Sequence, residues 1–133
     1  MEEDMVTPDV MRDTAGKYFA GWAALDPVTV TAYFDEKAVT HQPYGAAPLT
    51  GRAAVREFLV RVFAAFEHLE VSPDDIFVAK NRVAVKFTGR GTGKNGRHFR
   101  LEGITVFEFT ECGTIRALWG YWDPEAILAQ LRS

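Results

Sequence analysis

A change in hydrophobic period near Glu67 constrains this chain more than any other feature. Before it, apolar side chains recur every three or four positions, the spacing that gives a helix one buried face. After it they alternate, as in strands buried on one side. Helices first and then a run of strands means an α+β domain, with helices packed on one face of a curved antiparallel sheet. The 133 residues suffice for one such domain with a core that needs neither metal nor disulfide, and residues 1–6 are expected to form a flexible tail.

Local signals divide the chain further. Thr7-Pro8-Asp9 reads as a helix start: a hydroxyl cap, proline at the first helical position, then an acid near the positive dipole end. Asp26-Pro27 repeats that signal for a short second helix carrying Val30, Tyr33 and Phe34. A brief strand is expected from Ala38 to Gln42, followed by a Pro- and Gly-rich loop to Pro48. Thr50 is the expected cap of a third helix that carries Phe58 and Phe66. Strands follow near 69–79, 82–91, 97–109 and 114–122, the middle pair joined by a two-residue turn at Asn95-Gly96. Asp123-Pro124-Glu125 opens a short terminal helix.

Composition removes several functions. Apolar residues are 47% of the chain and the net charge is −3, so no basic footprint points to nucleic acid or an anionic membrane. No apolar run approaches the ~20 residues that span a bilayer. The single Cys112 excludes an internal disulfide and a multi-cysteine metal site. An acidic start, Met1 to Asp4, has no signal-peptide pattern, so the cytoplasm is the expected location. His41 and His98 lack metal-ligand spacing, and no metal or cofactor is expected.

Two stretches carry a family resemblance. "FDEKAVTHQPYGAAPLTGRAAVREFL" is similar to the ketosteroid isomerase segment that links the short helix, the first strand and the third helix. "LEGITVFEFTECGTIRALWGYWDPEAILAQL" resembles the closing hairpin and tail of SnoaL-like polyketide cyclases. Both belong to the nuclear transport factor 2-like superfamily, so the resemblance implies a cone-shaped α+β barrel: three N-terminal helices, a curved antiparallel sheet and a short C-terminal helix. It also implies where catalytic groups would sit. Tyr18 falls where the isomerases keep their oxyanion-donating tyrosine. Gln42 stands in place of their carboxylate base, and Thr105 in place of their protonated aspartic acid. In the limonene epoxide hydrolases, Gly120 would replace an aspartate and Gln42 would match the water-holding asparagine. An amide cannot abstract a carbon-bound proton, so neither mechanism transfers intact.

Strand alternation names the expected pocket independently. Thr105 and Phe107, with Leu101 and Gly103, share one face of their strand; Leu118, Gly120 and Trp122 share the matching face of the next. Gln42 and Tyr44 come from the first strand, Phe87 from the hairpin, and Tyr18, Trp22, Phe58 and Phe66 from helical segments. The glycines at 103 and 120 are expected to leave room for a ligand. The opposite sheet face carries Trp119 and Tyr121, which is expected to form a homodimer interface. His41 and Asp123 are the candidate proton acceptors, although alternation turns His41 from the side of Gln42 and Asp123 also reads as a helix cap. With this pocket, the resemblance implies a cofactor-independent isomerase, cyclase or dehydratase for a hydrophobic carbonyl, hydroxyl or epoxide compound. The alternative is a non-catalytic ligand-binding or dimerisation module.

Overall fold

Each helix start is built by the cap that marks it in sequence. In the computed structural model, which describes residues 6–132, α1 (Pro8–Ala23) begins where the Thr7 hydroxyl accepts from Val10 N at 3.2 Å. The Asp26 carboxylate likewise accepts from Val28 N at 3.1 Å and starts α2 (Pro27–Val30). That helix stops earlier than expected. Val28, Thr29, Val30 and Thr31 form a β-branched run that disfavours further turns. Phe34 therefore opens β1 (Phe34–His41) instead of closing the helix.

A two-residue strand, β2 (Leu49–Thr50), then pairs with β1. Thr50 is thus a ladder residue, and the cap of α3 (Arg52–Phe63) is Gly51, whose φ of 98° favours a residue without Cβ. Phe66 is not on α3; it begins β3 (Phe66–Ala79). The meander continues through β4 (Arg82–Gly93), β5 (His98–Phe109) and β6 (Ile115–Tyr121), and α4 (Pro124–Arg132) follows. Between β4 and β5, Gly93 N donates to Arg97 O at 2.9 Å, and Gly96 has φ 81°. The loop is therefore three residues long with one left-handed position, rather than a two-residue turn.

The six strands lie in the order β2-β1-β6-β5-β4-β3. Helices cover one face of this curved sheet, the α+β cone expected, with two departures. The sheet is open at β2 and β3 instead of closed into a barrel. It is also mixed, because β1 runs parallel to β6, pairing Thr40 with Leu118 and His41 with Trp119. A parallel neighbour needs a long crossover, and α3 with the whole meander supplies it.

Alternation places Val83, Val85, Phe107 and Leu118 in the core, each fully buried against α1 residues such as Met11 and Ala15. In β3 an irregularity between Pro73 and Asp75 shifts the parity. Leu69 and Val71 point inward before it, Ile76 and Val78 after it, and Phe77 is 68% exposed on the outer face. Most of the expected tail lies outside the described residues; Val6 is anchored, its N–H donating to Glu111 O at 2.8 Å. No described helix is long and apolar enough to cross a membrane.

β6 ends opposite Ile104, leaving the first half of β5 with a strand on one side only. The Gln130 side chain of α4 fills part of that edge, accepting from Arg100 N at 2.7 Å and donating to Arg100 O at 2.8 Å. Asn95 Nδ2 donates to Leu131 O at 2.9 Å and holds the end of the helix. Gln130→Ala is expected to speed amide exchange at Arg100 by about tenfold while lowering global stability by only about 1 kcal/mol. Hydrogen exchange read by NMR, alongside urea unfolding, checks both numbers.

Candidate functional site

The cone holds a cavity between its helices and the sheet, open to solvent on one side. Its walls come from every layer of the fold. Helix α1 contributes Tyr18, Phe19 and Trp22 on one face, and α3 contributes Phe58 and Val62. The sheet adds Phe66, Leu69 and Val71 from β3, Phe87 from β4, and Phe99, Leu101 and Thr105 from β5. Gln42 and Trp122 follow the ends of β1 and β6, and Ile127 of α4 closes one side. Such an apolar concavity with few polar groups is the usual form of a small-molecule site.

Tyr18 is the polar centre. Its ring is locked by Phe34, stacked at 6.3 Å, and by Phe107, edge-on at 5.0 Å. Gln42 Nε2 donates to its hydroxyl at 2.7 Å. Because the tyrosine oxygen accepts from the amide, its own proton remains available to another acceptor. Burial pushes the Tyr18 pKa up to about 12. The Trp22 indole and the Gln42 amide lie close enough to favour the phenolate and offset part of that rise. Only the amide closes a hydrogen bond; Trp22 Nε1 is buried with no partner among the described residues.

Nine of the residues expected at the site line this cavity: Tyr18, Trp22, Gln42, Phe58, Phe66, Phe87, Leu101, Thr105 and Trp122. The other five lie elsewhere. Phe107 and Leu118 face the helices as alternation requires, but they are fully buried in the packed core, Phe107 behind the Tyr18 ring. Tyr44 lies beyond the end of β1, where alternation stops; it is 64% exposed and stacks on Tyr121 at 5.4 Å. His41 occupies the outer sheet face, its ring parallel to Trp119 at 5.8 Å, with the Arg82 guanidinium 4.9 Å from the same indole. Asp123 is a cap: its Oδ1 accepts from Glu125 N at 3.0 Å at the start of α4.

The two glycines do not open the cavity. A Cβ on Gly103 would lie 2.8 Å from the Phe87 ring, and one on Gly120 would lie 3.2 Å from Gln42 Cγ and 3.0 Å from Trp122 Nε1. They make room for protein side chains that themselves form the wall. Sequence reasoning missed Phe19, Val62, Leu69, Val71, Phe99 and Ile127. Phe99 was findable, being two residues from Leu101 on the same strand face.

Among the described lining side chains, Tyr18 is the only one that titrates. The neutral form is the one folding favours, so its contribution to stability is complete below pH 10. That contribution is lost as pH rises from 10 towards 12. Phenolate absorbance in wild type minus Tyr18→Phe is expected to titrate at about 12. Over that interval wild type should lose on the order of 3 kcal/mol more stability than the variant. A difference titration near the ordinary value of 10 would contradict the burial argument.

Residues 15–118 match the family model described as the SnoaL-like domain. A steroid Delta-isomerase from Nocardioides simplex is 26% identical over 115 residues, 86% of this chain and 90% of that protein. Among solved structures, the epoxide hydrolase/cyclase-like enzyme SalBIII, which has a role in pyran ring formation in the polyether salinomycin, has the same fold. Its TM-score is 0.78 over 95% of this chain and 97% of its own, at 21% identity.

Proposed function

The chain belongs to the SnoaL-like domain family, and from that premise we propose that it is a cofactor-independent enzyme of isomerase or cyclase type for a hydrophobic, oxygen-bearing small molecule. One observation carries this reading: the cavity is apolar and aromatic, and its polar centre is a buried tyrosine whose proton is free to donate. The steroid isomerase and epoxide cyclase relatives support the reaction class.

Within that class, ring closure suits the lining better than proton abstraction from carbon. Abstraction needs a base near the substrate, and His41 and Asp123 are engaged elsewhere. Ring closure of a hydroxy-epoxide brings its own nucleophile. The substrate hydroxyl oxygen forms a C–O bond as the epoxide C–O bond breaks. The opened oxygen takes the Tyr18 proton, and the proton released by the attacking hydroxyl restores the tyrosine, so the net change is an isomerisation. Aromatic walls would fold the chain into the attacking conformation, and Gln42 would hold Tyr18 in line. A dehydratase would also begin with donation to oxygen but ends by removing a carbon-bound proton, and the candidate to take it among the described lining side chains is the Tyr18 phenolate, which is left at the departing oxygen.

That same lack of a base favours a second reading, a binding module without turnover. Incubation with a series of apolar hydroxy-epoxides, followed by chromatography for an isomeric product, separates the two. Turnover that drops on the order of 100-fold in Tyr18→Phe is the expected result. Saturable binding without product would leave the module, and no binding at all would sink both readings.

The outer sheet face is proposed as a homodimer interface. Phe77, Ile104 and Tyr121 are exposed there around half-buried Trp119, a run of apolar surface that water does not favour. Wild type is expected to sediment as a dimer and Tyr121→Glu as a monomer. A monomeric wild type at micromolar concentration refutes the interface.

A further inference from the structure

Tyr18 and Trp22 stand one helical turn apart on α1, so both rings project from the same face into the cavity. Phe63 packs edge-on against the Trp22 indole at 5.0 Å and fixes its plane. The indole N–H is buried, and it closes no hydrogen bond among the described residues, although it lies close enough to the Tyr18 oxygen to favour the phenolate. A donor in that state costs free energy, and native folds keep very few of them without a partner. The Tyr18 proton is in the same position, because Gln42 approaches the hydroxyl as a donor and leaves its hydrogen unclaimed.

We propose that Trp22 is a second hydrogen-bond donor to the ligand, and that Tyr18 O–H and Trp22 Nε1–H converge on one uncharged acceptor oxygen: a ketone, ether or epoxide. This rests on the reading of the cavity as a small-molecule site and sharpens what it recognises. The ligand oxygen is uncharged because no lysine or arginine lines the cavity to compensate a buried carboxylate. The influence of the indole on the acidity of Tyr18 agrees with the two groups sharing one small region.

The role is distinct from that of an apolar wall, and a pair of probes separates them. 2-Acetonaphthone carries a methyl ketone; 2-isopropenylnaphthalene has the same shape with a methylene in place of the oxygen. Wild type is expected to bind the ketone at least about tenfold more tightly. Trp22→Phe trims the wall for both probes, and should weaken ketone binding about fivefold more than hydrocarbon binding. Equal weakening of both probes would reduce Trp22 to a wall and overturn the proposal, as would a wild type with no preference for the ketone. If Tyr18→Phe removes the preference and Trp22→Phe does not, the second donor is wrong and the wider reading of the site stands. If neither variant alters the preference, both fall. A second measurement needs no variant of Trp22: its indole Nε1–H resonance, assigned by elimination with Trp119→Phe and Trp122→Phe, should move downfield with the ketone and stay in place with the hydrocarbon. A resonance that ignores the ketone overturns the proposal.

Discussion

Strand β1 lies second from one edge of the sheet, and α3 with the whole meander separates it in sequence from β6, its parallel neighbour. The rest of the site hangs on that pairing. The register that sets Thr40 beside Leu118 and His41 beside Trp119 carries Gln42 to the level of Gly120, where the missing side chain lets it approach. From there its amide reaches the Tyr18 hydroxyl across 24 residues of sequence. A slip of one residue would turn His41 inward and Gln42 outward. The pocket would then hold a titratable base, and its chemistry would be of another kind.

Much of this was legible before any coordinates. The caps at Thr7 and Asp26 depend on neighbours within three residues, and both form as read. Tyr18, Trp22 and Phe58 follow from helical period, and Phe87 and Thr105 from strand parity, both set by the backbone itself. What escaped depends on contacts far along the chain. The shift in β3 turns Phe77 to solvent; its one local sign is Pro73, a residue that sits at irregular points of a sheet. Phe107 and Leu118 have the correct face but the wrong depth, and depth depends on how the cone tapers. Gly103 and Gly120 look like ligand space in one dimension and are wall space in three.

The cavity also explains how this fold supports unlike reactions. The locking contacts of Tyr18, with Phe34 and Phe107, belong to the core and are independent of what the ligand does. Positions 42, 105 and 120 lie on or beside strands whose backbone is already committed to the ladder. A side chain exchanged there alters the lining without altering the fold. With Gln42, Thr105 and Gly120 at those positions, this chain is left with donors and shape.

Helix α4 has no fully buried residue and is tied down largely through Gln130 and Asn95 at an exposed strand edge, yet its Ile127 borders the cavity. Detaching it would uncover little apolar surface, so the heat-capacity change of that step is small beside that of global unfolding. The two processes therefore answer differently to temperature. The cone melts along a strongly curved stability profile, while release of α4 keeps a nearly constant enthalpy, and cooling that alters the stability of the cone leaves the hold on that helix largely untouched.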